Sequence, residues 1–160
     1  MKLLKILLLF IIPLSLFANS ANFAKEEIDG AFGIKFGQEF PDSDEIVVKF
    51  KPAVPLDDYN KFEYSLTPIS KKVYKVKASY PRTEICSRYF PDILMLLDIK
   101  YKKVTDGYNS GKYTDNNDNT INAACNGYIS YLTYTSSELS VVAEEERKKL
   151  KIIELQKIDL

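Results

Sequence analysis

The chain has 160 residues, with 22 Lys+Arg against 22 Asp+Glu, two cysteines, and neither histidine nor tryptophan. The missing histidine excludes Ser-His-Asp and Cys-His catalysis, His-ligated zinc sites and histidine-based pH switching. The balanced charge argues against general nucleic-acid binding, which rests on a marked basic excess.

The first residues read MKLLKILLLFIIPLSLFANSA. Lys2 and Lys5 make a short positive start, Ile6 to Phe17 an uncharged and mostly apolar run, and Ala18 a small residue at a cleavage point. This is the layout of a secretory signal peptide. The apolar run of twelve residues falls short of the roughly 20 needed to span a bilayer as a helix. Pro13 and the small-polar Ala18-Asn19-Ser20-Ala21 also favour cleavage over retention as an anchor. With no cysteine in that region, a lipobox is absent. The expectation is a periplasmic product from which residues 1–18 have been removed. Cleavage takes away two lysines and no acid, leaving 20 basic and 22 acidic residues, a net charge of −2, over 142 residues. That length suits one domain with a core of its own. No second long apolar run follows, so no stable membrane insertion is expected after cleavage.

Residues 19–30 are polar and read as a flexible start; 31–160 read as one α+β domain. In GAFGIKFGQEF, Phe32, Ile34 and Phe36 alternate with Gly33, Lys35 and Gly37, the period of a strand with one apolar face. No GK[ST] or GxGxxG context follows, so a phosphate-cradling loop is not expected. After the turn Pro41-Asp42-Ser43-Asp44, a second strand alternates Ile46, Val48 and Phe50 with Val47, Lys49 and Lys51, and Pro52 and Pro55 end it. A third sets Phe62, Tyr64 and Leu66 against Lys61, Glu63 and Ser65; a fourth sets Tyr74, Val76 and Ala78 against Lys75, Lys77 and Ser79. Four alternating segments joined by turns predict an antiparallel meander. Its outer face would collect Lys35, Lys49, Lys51, Lys61, Lys75 and Lys77, either as a surface for an acidic partner or envelope polymer or simply as a solvated face with guarded edges.

Pro81 closes the fourth strand. Thr83 can cap a helix, and Ile85, Tyr89, Ile93, Leu96 and Leu97 fall at helical spacings that let it lie across the apolar sheet face. Pro91 either kinks this central helix or divides it into a short piece carrying Cys86 and a longer one starting near Pro91. The helix should end near Lys100 to Lys103. Thr105 to Asn119 is a long polar stretch, in which Tyr113 can sit in a short strand. Asp115 to Asn119 resembles a calcium loop, but Thr120 replaces the turn glycine and Asn126 the bidentate glutamate, so a hairpin tip is expected and no metal or other cofactor. Thr120 to Cys125 and Tyr128 to Tyr134 read as two strands turned at Asn126-Gly127. A C-terminal helix spans about 136–157, with Thr135 and Glu138 fitting a capping box. The even cysteine count in an exported chain reads as a Cys86–Cys125 disulfide, the alternative being two separate buried thiols.

Several of these segments together carry a resemblance: GAFGIKFGQ, TPISKKVYKVKA, the cysteine-bearing helix ending in LLDIKYKK, and Cys125 followed by a strand pair containing YISYLTY and a charged helix. The mature chain resembles small uncharacterised exported proteins of Gram-negative bacteria. That resemblance implies a periplasmic α+β domain, is compatible with the Cys86–Cys125 bridge, and carries no catalytic residues. The preferred functional reading is a non-catalytic binding or accessory module acting on an unknown protein or envelope component. One alternative is an envelope assembly component that docks through its C-terminal helix. Another is a carboxylate-based glycan hydrolase, for which Glu63, Asp98 and Asp115 are the candidate acids.

Overall fold

In a computed structural model of the chain, residues 25–53, 56, 59–81, 86 and 89–158 are described. The proposed signal peptide lies outside the described residues, as does the proposed cap Thr83. The fold is α+β. A seven-stranded antiparallel sheet is built from β3 (Val47–Lys49), β4 (Lys61–Leu66), β5 (Val73–Tyr80), β6 (Lys102–Gly107), β7 (Ser110–Thr114), β8 (Thr120–Cys125) and β9 (Ser130–Thr135), in the order β3-β4-β5-β9-β8-β7-β6. A separate two-stranded hairpin pairs β1 (Gly30–Ala31) with β2 (Ile34–Lys35). Helix α1 (Phe90–Lys100) and helix α2 (Ser137–Ile158) complete it. Among the described residues no helix is long and apolar enough to cross a membrane.

The sheet has one apolar and one polar face, because side chains alternate along each strand. Phe62, Tyr64, Leu66, Val76, Ala78, Ile121, Ala123, Leu132 and Tyr113 point into the core. Two covers close that face. Against β7 lies α1, with Phe90 and Leu97 buried in the same core as Ile121, Ala123 and Leu132 and Ile93 and Leu94 packed beside them; each large apolar side chain so enclosed contributes about 2 kcal/mol. The helix begins at Phe90 with Pro91 in its first turn, where the missing N–H costs nothing, so a helix starting near Pro91 is borne out, while the short piece expected about Cys86 falls largely outside the described residues. Over β4 and β5 lie the aromatic rings of the β1–β2 hairpin and its continuation: Phe32 meets Phe62 and Tyr134 edge-on, and Phe40 stacks on Tyr64 at 4.8 Å between centroids.

The structure corrects four sequence expectations. First, Phe32 to Phe36 does not join the meander. Phe32 and Gly33 both adopt positive φ (56° and 87°), so the segment folds into a tight hairpin whose rings roof the sheet instead of extending it. Second, the start of the chain is not free from Lys25 onward. Ile28 is 1 % exposed within the main core, and Glu26 N–H donates to the Lys100 carbonyl. Third, the strand expected about Tyr113 is not alone: the polar stretch after α1 holds the hairpin β6–β7. Within it the Tyr113 ring folds back over Gly111, where any Cβ would collide with it. Fourth, Asn126-Gly127 does not turn the next hairpin alone. Cys125 pairs with Ser130 across a four-residue loop, in which the Asn126 carboxamide oxygen accepts from the N–H groups of Tyr128 and Ile129.

The cap of α2 also shifts by one residue: the Ser136 hydroxyl, not a Thr135–Glu138 box, accepts the Leu139 N–H at 3.4 Å. Farther along, buried Glu146 clasps the β4–β5 turn, its carboxylate accepting from Ile69 N–H at 2.6 Å and Ser70 N–H at 3.2 Å. Burial pushes this carboxyl up, but hydrogen bonds from Ser70 and the two backbone N–H groups, with the charge of Lys149, outweigh it and hold it below the usual glutamate range. The clasp is therefore at full strength above the ordinary glutamate value of about 4.3 and is lost as pH falls through the lower folded value. Glu146→Gln is expected to cost about 1–2 kcal/mol at neutral pH. Denaturant midpoints of the two proteins should converge as the pH is lowered toward 3; a gap that stays constant down to that pH would show that the carboxylate charge is irrelevant.

Candidate functional site

The polar face of the sheet follows directly from the strand registers. Lys49 stands opposite Glu63, Glu63 opposite Lys77, Lys77 opposite Thr133, Thr133 opposite Asn122, and Asn122 opposite Lys112. A parallel row runs Lys61, Ser79, Tyr131, Ala124 and Ser110. A third runs Val47, Ser65, Lys75, Thr135, Thr120, Thr114 and Lys102. None of these residues is buried. α2 packs at the start of β5, where the Arg147 guanidinium donates to the Tyr74 hydroxyl at 2.7 Å, and the central rows stay open.

Of the lysines expected on this face, Lys49, Lys61, Lys75 and Lys77 are on it. Lys51 is exposed just past β3, next to Phe50, whose ring packs into the core. Lys35 is not on the face. It belongs to the β1–β2 hairpin on the other side of the sheet and pairs with Asp29 at 3.7 Å. Two lysines missed by the sequence reading join the set: Lys112 on β7 and Lys102 on β6. Their signal was the alternation Ser110, Lys112, Thr114 around Gly111 and Tyr113, hidden inside a stretch that reads as a loop. Across the three rows the single acid is Glu63. Among the described residues, none of Lys49, Lys51, Lys61, Lys75, Lys77, Lys102 and Lys112 is held in an ion pair.

Unpaired ammonium groups on a solvated sheet attract anions at little desolvation cost. Lys103, the neighbour of Lys102, is on the opposite face and is fully engaged, with Asp98 at 2.9 Å and Asp106 at 3.1 Å. Comparison with protein-family models, curated proteins and solved structures found no match to this chain.

The three candidate acids stand on different elements. Glu63 lies on the open face of β4. Asp98 sits near the end of α1; burial raises its carboxyl, but the hydrogen bond from Lys103, the nearby Tyr113 hydroxyl and the charges of Lys103 and Lys25 hold it below the usual aspartate range. Asp115 is buried in the β7–β8 turn, its carboxylate accepting from the N–H groups of Ile28, Asn117 and Asn119. None of the three lines the cleft of about 670 Å³ between the start of α2 and the β7–β8 turn, whose walls include Glu27, Asp29, Lys72, Asn119 and Glu138. Lys72 is paired there with Glu39 at 3.3 Å. Tyr113 is fully buried with its hydroxyl donating to the Leu94 carbonyl at 3.2 Å; burial first, then the nearby Asp98 carboxylate, pushes its phenol far above the usual range, so it stays protonated.

Proposed function

We propose that the chain is an exported, non-catalytic binding module of the periplasm whose contact surface is the open face of the seven-stranded sheet. The observation that carries this reading is the set of unpaired lysines on β3, β4, β5, β6 and β7 facing one side, with Glu63 the single acid among them. A sheet covered on one face by helix and hairpin leaves its other face as a rigid platform, and rigid platforms lose little entropy on binding. The periplasmic placement rests on the signal-like N-terminal sequence and on the disulfide, which suits an oxidising compartment.

The test is capture of envelope components by the protein purified from the periplasm, beside a Lys49→Glu/Lys61→Glu/Lys77→Glu/Lys112→Glu variant. The expected result is loss of the captured components with thermal stability unchanged to about 1 kcal/mol, since exposed charges contribute little to folding. Identical capture by both proteins would refute the face as the contact surface.

A second reading, an assembly component docking through α2, is favoured by one observation. Beyond Glu146 the helix is exposed and still carries Leu150, Ile152, Ile153 and Leu155 outward. Truncation after Arg147 would then abolish capture while the lysine variant retains it.

A further inference from the structure

We infer that the open sheet face takes an acidic polysaccharide bearing uronate carboxylates; the inference rests on the binding-face reading above and names its ligand class. Three observations point that way. The first is the spacing of charge. Lys77 on β5 and Lys112 on β7 lie in one cross-strand row, separated by Thr133 and Asn122 on β9 and β8. Three strand spacings put the two backbones about 14 Å apart. Across β9 and β8 the outward residues are Tyr131, Thr133, Thr135, Thr120, Asn122 and Ala124, all uncharged. Lysines thus flank a neutral band of hydroxyl, amide and aromatic groups.

The second is Tyr131. It is half-buried at one end of that band, opposite the small residues Ser79 on β5 and Ala124 on β8. The Lys77 ammonium is 5.9 Å from the ring centroid, so an aromatic surface and a cation act on the same spot. A sugar ring has an apolar C–H face that lies flat on an aromatic ring and hydroxyl edges that exchange hydrogen bonds with Thr, Ser and Asn. A carboxylate on the same unit reaches the adjacent ammonium as a point-charge contact.

The third is what the face lacks for other ligands. Nucleic acid presents one charge per about 1.7 Å of duplex axis and is met by dense basic clusters. An anionic bilayer likewise favours clustered basic residues with apolar side chains to insert. The lysines here are dispersed, and Val47, at the sheet edge, is the one aliphatic side chain larger than alanine in the three rows. A protein partner favours a desolvated apolar centre, and the centre of this face is polar.

The experiment measures binding of the protein purified from the periplasm to polygalacturonate, dextran, polyglutamate and phosphatidylglycerol vesicles at fixed ionic strength. Three variants accompany it: Lys77→Gln/Lys112→Gln, Tyr131→Ala and Tyr131→Phe, each checked by thermal melting. Polygalacturonate should bind and neutral dextran should not. The lysine double variant should weaken polygalacturonate about tenfold. Tyr131→Ala should weaken it about fivefold while leaving the ring-free polyglutamate unaffected, and Tyr131→Phe should restore it. Failure of polygalacturonate to bind overturns the inference. So does polyglutamate or vesicle binding as tight as polygalacturonate at equal charge, or a Tyr131→Ala variant that binds polygalacturonate undiminished. If the lysine double variant weakens an anionic probe while Tyr131→Ala changes nothing, the face still binds anions and only the glycan assignment falls. If the lysine variant leaves every probe unchanged, both readings fall together.

Discussion

Replacing Asp115 with alanine is expected to lower the folding free energy by about 3 kcal/mol and to free the start of the chain from the domain. The carboxylate of this buried residue joins the N-terminal segment to the β7–β8 turn. One oxygen accepts the buried Ile28 N–H at 2.8 Å and the Asn119 side-chain amide at 3.1 Å; the other accepts the Asn117 and Asn119 backbone N–H groups, both at 2.9 Å. The same Asn119 amide also donates to the Ile28 carbonyl, and its oxygen accepts the Ser137 N–H at the start of α2. Alanine leaves donors without acceptors at positions that water reaches poorly, and an unsatisfied buried donor loses its full desolvation energy. For a domain of this size the melting temperature should fall by roughly 10 °C. Amide exchange is the discriminating readout: protection at Ile28 and at the 115–119 turn should drop well beyond the global change. A variant that loses stability uniformly, with Ile28 still protected in proportion, would show that Asp115 does not hold the N-terminal segment.

Removing the Cys86–Cys125 bridge is expected to cost about 4 kcal/mol on the chain-entropy account of a closed loop. The two cysteines are 39 residues apart in sequence and 5.4 Å apart between Cα atoms, and both are buried. The bridge ties the approach to α1 to the end of β8, so it joins the segment after β5 to the late hairpin. Guanidinium unfolding of the oxidised protein and of Cys86→Ala/Cys125→Ala should show the midpoint falling in the variant, with the fold retained near neutrality. Thiol titration of unfolded, unreduced protein should find no free thiol. Equal midpoints would mean that the packing of α1 on the sheet suffices without the bridge.

The two halves of the molecule were unequally legible in the sequence. β4 and β5 alternate strongly enough to read directly, because one face of each is buried against aromatic rings and the other is wet. β6 does not alternate: Lys102 to Gly107 is exposed nearly throughout, and it becomes a strand by pairing along β7. Edge strands of this kind are written in charge and turn residues, which also guard the edge, so no apolar period betrays them. The β1–β2 hairpin misled for the opposite reason. Its apolar alternation is real, but two positive-φ residues turn it back on itself, and its rings cover the sheet.

The lysine face shows the same division. The sequence by itself determined the outward lysines of β3, β4 and β5, since a period of two leaves no choice once the apolar side is buried. It also determined that an even pair of cysteines was available, and that histidine chemistry was excluded. Only the tertiary structure decided that β9 inserts beside β5 and brings β8 and β7 with it. Strand order and register between segments distant in sequence are set by long-range backbone pairing and core fit, which no local pattern encodes. That pairing removed Lys35 from the face, added Lys102 and Lys112, and placed Tyr131 in a neutral band between the lysines of β5 and those of β6 and β7.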